Sequence, residues 1–415
     1  PSISVNYNQG EARYANIRGV GPSLNTVTID GELAPSADAE TRAVQLDLMP
    51  AEMIQSIEVN KTVTPDMDAD AIGGSINLVT RQAPFVRRLS VTVGGGYNAL
   101  SGKPRINSSL IVGKRFFDEK VGLIFSGSWD DNRLQSHNSE GIWRFDESGS
   151  IIPKQWDVRL YEIRRLRRSV SAASDFRVSE NNRFFFNVMY NHRDDWENRV
   201  RLRYRIDELD QDGFSEKSII RRQTKGGPGS GRNNNARLED QRTQKIQLKG
   251  KHNIGDLFQA EWSMSLGKAT EDRPRERYIS WEAGDAPVVI DLADPAAPGF
   301  YDQVGNKKFK IEELSEEFKK TQERNRRFKI DFDVPFVRKG AYKSTFYFGG
   351  KIKGKTKDRD QAFNQINFTN AGEEQFGKMT DTEIADFGQK NFLAGNFDIG
   401  YFTTYNYLGA LDFSD

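Results

Sequence analysis

The sequence predicts a mostly β protein: a transmembrane antiparallel β-barrel preceded by a small α+β domain. Three observations predict it. From Arg87 onward, strands alternate apolar and polar residues, as in Phe258, Ala260, Trp262, Met264 and Leu266 against Gln259, Glu261, Ser263 and Ser265. The connections between those strands are alternately short and long. The chain is only 36% hydrophobic, with a mean hydropathy of −0.69, and has no apolar window of the ~20 residues that a spanning helix needs. A barrel escapes that last test because only alternate residues of each strand face lipid.

Alternation alone fits a soluble β-sandwich equally well, with apolar faces meeting inside. Connection lengths decide between the two. Strands are predicted at 87–97, 105–116, 120–131, 160–177, 182–193, 237–252, 257–270, 323–336 and 342–356. The links Phe117–Glu119, Ser179–Asn181, Asn253–Asp256 and Val337–Ala341 are short, whereas 132–159, 194–236 and 271–322 are long and read as external loops, as does 357–405. Short turns on one side and long loops on the other are the asymmetry of an outer-membrane barrel. Tyr97, Trp129, Phe176, Phe184, Tyr190, Phe336 and Tyr342 lie near strand ends, where rings form interfacial girdles; ordinary core aromatics are the alternative. The stretch Tyr405–Phe413 reads as the start of a further strand.

The amino-terminal domain opens with strands over Ala15–Val20 and Asn25–Ile29, the second stopped at Asp30-Gly31, a dipeptide suited to tight turns. Met49–Ser56 offers one or two helical turns, with Pro50 at the first helical position. Ile57–Lys61 and Ser75–Arg81 alternate as strands, separated by an acidic, turn-rich link ending at Gly73-Gly74.

The runs NIRGVGPSLNTVTIDG and AVQLDLMPAEMIQSIEVNKTVTPDMDADAIGGSINLVTR resemble the second half of the plug domain of TonB-dependent outer-membrane receptors. The phrases DLMPAEMIQSIEV and PDMDADAIGGSINL are similar to the subgroup first described from Caulobacter. The resemblance covers roughly residues 1–84 and implies a plug inside the barrel lumen, with 85–415 the first part of the barrel. A barrel that holds a folded plug needs on the order of 22 strands, so with nine or ten here the chain reads as an incomplete receptor. What the resemblance further implies is import of a scarce or bulky ligand, siderophore-like or carbohydrate-like, driven by TonB with ExbB–ExbD. Outer-membrane lipid, lipopolysaccharide and a surface lipoprotein are the other partners it implies. It also implies that Arg18, in the Ile-Arg-Gly element, reaches acidic groups on the barrel wall, with Arg81 a second plug–barrel contact and Gly19, Asp30, Gly31, Gly73 and Gly74 forming plug turns. A local salt bridge within the plug is the alternative for Arg18. A passive porin or adhesin with a fixed amino-terminal stopper is the rival function.

Other constellations point elsewhere more weakly. Asp66, Asp68 and Asp70 begin like a calcium loop, but Ala71 and Asn77 stand where its Gly and Glu belong. His137, His192 and His252 are far apart, and there are no cysteines, so no metal site and no cofactor is expected. No nucleophile elbow or paired-carboxylate site is found, so an enzyme is not expected. A net charge of +1 argues against nucleic acid, and the basic run Arg159–Arg168 instead splits its arginines, Arg165 and Arg167 to one strand face and Arg164 and Arg168 to the other. Gly226–Gly231 reads as a loop tip. Trp143, Trp156, Tyr278, Trp281 and Tyr301 fall in the predicted loops and are the candidate ligand-binding aromatics, with loop self-packing as the alternative.

Overall fold

The computed structural model describes residues 3–413 except 37, 39, 40, 63, 65, 66, 69, 70, 148, 211, 256, 295–297, 340, 341 and 367–376. Asp66, Asp70, Phe368 and Phe376 therefore lie outside the described residues. No helix among the described residues is long and apolar enough to cross a membrane.

The amino-terminal domain contains a hairpin, β1 (Ile3–Asn8) with β2 (Glu11–Ile17), and a sheet in the order β4-β3-β6-β5, built from β3 (Asn25–Ile29), β4 (Glu32–Leu33), β5 (Ile54–Asn60) and β6 (Gly74–Thr80). Strands β3 and β6 run parallel, and Ile76 and Leu78 turn inward onto Ile17, Val27, Ile29 and Met53. The helical turn expected at Met49–Ser56 is instead a 3-10 turn at Ala51–Met53 that passes directly into β5. The β-branched Ile54, Ile57 and Val59 favour the strand. Asp30 and Gly31 both take positive φ, 51° and 79°, as the tight turn between β3 and β4 requires. The Asp30 carboxylate accepts from Thr80 N and Thr80 Oγ1, both at 2.8 Å, tying that turn to the end of β6. Gly74 (φ 145°) has its backbone 2.7 Å, measured at the place of a Cβ, from the Asn60 carbonyl, so only glycine fits.

The remainder is one antiparallel sheet of eleven strands: β7 (Arg88–Asn98), β8 (Lys103–Phe116), β9 (Val121–Phe145), β10 (Ile151–Ser179), β11 (Asn182–Arg205), β12 (Phe214–Gly226), β13 (Arg237–Ile254), β14 (Phe258–Asp291), β15 (Gly299–Asp302), β16 (Lys310–Lys339) and β17 (Tyr342–Gln365). Among the described residues its edges, β7 and β17, do not pair with one another. Strands β12 and β13 both pair with β11, in the same direction, so they are one strand position interrupted by residues 227–236. The Gly-rich run expected as a loop tip thus leaves the sheet in mid-strand.

The segments 132–159 and 271–322, expected as loops, are largely strand. The residues there keep alternating, as Val158 and Leu160 do with Asp157 and Arg159, but charges dominate one face and obscure the period. Because the pairing of β10 with β11 is unbroken from Gln155–Arg205 to Arg177–Arg183, a residue's position alone fixes its face. One face carries the exposed apolar belt: Leu89, Val91 and Val93, Leu123 and Phe125, Val170, Ile246 and Leu248, Met264 and Leu266, Phe328, Phe348 and Ile352. The other face holds the amino-terminal domain.

Further along the strands, the belt-side face is covered by residues 377–413, with β18 (Ile384–Asp386), β19 (Tyr401–Thr403) and the short helix α1 (Tyr405–Ala410). The strand expected at Tyr405–Phe413 is helical because Thr404 caps it, accepting from Tyr407 N at 3.1 Å, while Leu408 is fully buried. Phe392, Phe402 and Leu408 pack on Val158, Leu160, Val200, Leu202, Ile220 and Trp281. Arg222 donates to the Tyr401 carbonyl at 2.7 Å and Thr224 to that of Thr403 at 2.7 Å, which satisfies this segment's backbone. Phe402→Ala should cost about 3–5 kcal/mol of local stability. Limited proteolysis should then cut within 384–410 while β7 to β9 stay protected.

Candidate functional site

Two features share the inner face of the sheet: the junction with the amino-terminal domain, and a band of arginines beyond it. At the junction, Glu11 on β2 receives Arg165 at 2.7 Å and Arg167 at 2.5 Å from β10, and Arg165 also binds Asp195 at 3.0 Å. Gln9 donates to Glu197 at 2.5 Å, and Glu197 pairs with Arg237 and Lys225, each at 3.0 Å. Arg193 pairs with Asp47, and Arg13 lies 3.6 Å from Glu239. Further round the sheet, Ser263 and Ser265 donate to Glu32 at 2.6 and 3.1 Å, Gln247 donates to the Asp30 carbonyl at 3.3 Å, and Glu323 accepts from Ser36 N at 3.1 Å. Lys351 meets Asp68 at 2.9 Å, so that the one described acid of the supposed calcium loop serves as a wall contact. Strand alternation makes this possible: positions 165, 167, 193, 195, 197, 237 and 239 all fall on one face.

Burial alone would raise the Glu11 carboxyl, yet Arg167 and Arg165 beside it outweigh that and hold it well below the ordinary carboxylate range. The charged partners at this junction are wholly or partly withdrawn from water, so the stability of each depends on the other.

The arginine expected at this junction is not the one found there. Arg18 is exposed at φ 55°, followed by Gly19 at 75°, and makes no hydrogen bond or ion pair among the described residues. Arg13, five positions earlier, occupies the junction. Arg81 donates from Nε to the Glu52 carbonyl at 2.6 Å, inside the domain. Gly73 is close enough to Asn25 Oδ1 that a Cβ would stand 2.1 Å from it, and with Gly74 it lets the end of the acidic link pass tightly against β3.

Beyond the domain the inner face becomes basic. Arg159 on β10 and Arg201 and Arg203 on β11 surround one carboxylate, Asp157, which is 1% exposed, and Arg199 lies next along the same face of β11. Arg203 grips it with two bonds of 2.7 Å and Arg159 with one of 2.6 Å. Arg201 comes only within 3.8 Å and makes no hydrogen bond among the described residues. Arg199 donates to Gln223 at 2.6 Å and lies 5.9 Å from the Tyr278 ring centroid. Three cations around one buried anion, with Arg199 beside them and Glu140 joining only at the edge through Arg159 at 2.5 Å, leave an anion-receptive surface on the side of the sheet that holds the amino-terminal domain. The sequence carried a signal for it, since Arg199-Val-Arg201-Leu-Arg203-Tyr-Arg205 alternates cation and apolar residue without a break.

The candidate aromatics divide. Trp156 and Trp281 are 4% and 1% exposed and belong to the core beneath residues 377–413, on the face opposite the arginines. Trp143 packs edge-on against Trp156 at 5.8 Å. Tyr301 is exposed on β15. Tyr278 alone of the five stands beside the inner-face cations, Arg199 and Lys225, with its hydroxyl on Glu276.

Residues 1–75 match the family model described as the TonB-dependent Receptor Plug Domain. No protein of curated function matches the chain by sequence. Among solved structures, the chain is similar to the siderophore receptor PiuA from Acinetobacter baumannii, at 11% identity and a TM-score of 0.31 over 88% of this chain and 57% of that one. It is also similar to the ferric enterobactin receptor PfeA from Pseudomonas aeruginosa, at 10% identity and a TM-score of 0.37 over 86% and 74%. A third is the copper transporter OprC, at 11% identity and a TM-score of 0.30 over 88% and 57%. The chain thus spans a little over half the length of the first and the third.

Proposed function

We propose that this chain is part of a TonB-dependent outer-membrane receptor, a β-barrel with its plug at the amino end, and that it takes part in active import of a bulky anionic ligand. The observation that carries the anionic character is the inner-face run Arg199, Arg201 and Arg203 with Arg159, three of which share the buried carboxylate Asp157 while Arg199 lies beside them. A ferric siderophore of the catecholate or carboxylate type is a ligand of that chemistry: large, scarce and negatively charged. A neutral carbohydrate would call for exposed stacking rings, and of the five candidates Trp156 and Trp281 are buried in a core on the opposite face. The plug faces the periplasm in this proposal, where TonB with ExbB–ExbD remodels it. The charged junction around Glu11 is what such a pull would have to break.

The test is accumulation of labelled ferric chelates in cells that carry the full-length receptor as their sole uptake route. Saturable uptake of an anionic chelate, lost when the proton gradient is collapsed, supports the proposal. Uptake indifferent to the gradient would favour a passive barrel with a fixed stopper.

A further inference from the structure

The seam between the plug and strands β13, β14, β16 and β17 encloses a cavity of about 220 Å3 with a one-sided charge. Asp68 is the one acid among its described lining residues, against Arg42 from the plug and Lys245, Arg327, Lys353 and Lys355 on the inner face of the wall. The pairing register lays out the wall side as two adjacent rows. Ser265, Arg327 and Lys353 are laterally aligned, and the next row on the same face is Lys245, Gly267, Asn325 and Lys355. Arg327 and Lys353 are thus direct cross-strand partners of like charge, an arrangement that is unfavourable until an anion lies beside both.

The acids within reach are already divided among these cations. Asp68 is shared by Lys351 at 2.9 Å, Lys353 at 3.4 Å and Arg327 at 4.0 Å, and Glu32 lies 3.5 Å from Arg327 while also accepting from Ser263 and Ser265. Glu323, 3.0 Å from Lys355, also accepts from Ser36 N and from Asn325, each at 3.1 Å. Lys245 donates to the Ile29 carbonyl and lies 4.0 Å from Asp30. Lys353 and Lys355 nonetheless stay 50% and 40% exposed at the cavity. An ammonium carries three donors and a guanidinium five, so each of these side chains has donors to spare for a further acceptor.

We propose that this seam binds a small polyvalent oxyanion, held by Arg327, Lys353 and Lys355 on the wall and by Arg42 on the plug, so that the anion fastens one to the other. The cavity sets the size. At about 30 Å3 for each water it has the volume of about seven, enough for a phosphate or a small carboxylate anion and too small for the bulky chelate proposed as cargo. The seam lies along the flank of the plug, apart from the arginine band around Asp157, and the inference is independent of what is imported.

Hydrogen exchange of the full-length receptor in detergent tests it, with inorganic phosphate or citrate as probe and sodium chloride at matched ionic strength as reference. At least one of the two probes should slow exchange severalfold across residues 23–36, with saturation, and the one that acts at lower concentration shows whether the anion is inorganic or organic. Lys353→Gln strands no acid, because Asp68 keeps Lys351, and it should raise the concentration required by about five- to tenfold. Arg359→Gln removes a cation three alternations further along the same face, bonded to Gln361, and should leave that concentration unchanged. If Lys353→Gln fails to fold, Arg42→Gln takes its place from the plug side with the same expected shift. No slowing by either probe, equal slowing by chloride, an unshifted response in the folded Lys353 or Arg42 variant, or an equal shift in Arg359→Gln would overturn the proposal. Uptake of ligand plays no part in any of these outcomes.

Discussion

Glu11→Ala is expected to loosen the plug from the wall. The substitution removes the acid that Arg165 and Arg167 share, leaving Arg165, only 3% exposed, with Asp195 alone and Arg167 with the more distant Asp47 and Asp130 at 3.7 and 3.6 Å. Breaking a buried pair from one side costs on the order of 3–5 kcal/mol, more than the pair contributed, because the stranded charge cannot return to water. Hydrogen exchange over residues 3–17 should rise by two or more orders of magnitude, while β8 to β10 remain protected. Acid should act in the same direction. The Glu11 carboxyl is held below its ordinary value of 4.5, so its contribution is complete above that pH and is lost only as the pH falls through the lowered folded value. Exchange in the hairpin, taken relative to the intrinsic rate of an unprotected amide at each pH, should therefore be flat from pH 7 to 5 and climb below about pH 4 in wild type, whereas in Glu11→Gln the climb should be smaller. A wild-type profile that rises between pH 7 and 5 would mean that another group governs the junction.

Arg201→Glu should abolish recognition of an anionic ligand and yet leave the fold as stable as before, or more so. Arg201 has like charges on both sides and only a 3.8 Å approach to Asp157, so the fold gains little from its cation. A ligand that forms charge-assisted bonds with it would lose about 1.5–3 kcal/mol on neutralisation, roughly 10- to 150-fold in affinity, and more on reversal. Arg203→Gln is the contrasting case. It removes two bonds to a buried carboxylate and should destabilise the fold along with binding. Isothermal titration with an anionic ferric chelate, beside a thermal melt of each variant, separates the two. Equal affinity for anionic and neutral chelates in wild type would remove the basis for an anionic cargo.

How much of this was legible beforehand depends on which force ordered each segment. The later plug strands and the Asp30-Gly31 turn follow from local rules, β-branched alternation and a dipeptide that accepts positive φ, and they stand as expected; the strand expected over Ala15–Val20 is instead β2 at Glu11–Ile17, with Arg18 and Gly19 in a turn. So does the division of Arg164 and Arg168 from Arg165 and Arg167, because a strand's period of two leaves no choice. What escaped was set by partners distant in sequence. Residues 132–159 looked like loop because their apolar residues face neither lipid nor plug but a cover supplied from 377–413, more than 200 positions on. Trp156 and Trp281 were read as ligand contacts for the same reason. Arg13, not Arg18, meets the wall because β2 presents Arg13 to Glu239, whereas Arg18 sits on the turn after β2 ends. His192 meets Asp194 two positions along its own strand, and Asp240 through the pairing of β11 with β13.

The account depends on a sheet whose two faces meet lipid and plug. The chain has no cysteine, so in a full-length receptor kept free of other cysteines, single cysteines introduced along β10 can each carry a spin label. In reconstituted full-length receptor, labels at Val170→Cys and Ala172→Cys should show high accessibility to oxygen and low accessibility to a polar nickel chelate, whereas Ser171→Cys and Ala173→Cys should be shielded from oxygen. That period of two is the predicted result. Equal polar accessibility on both faces, or oxygen accessibility without alternation, would contradict it.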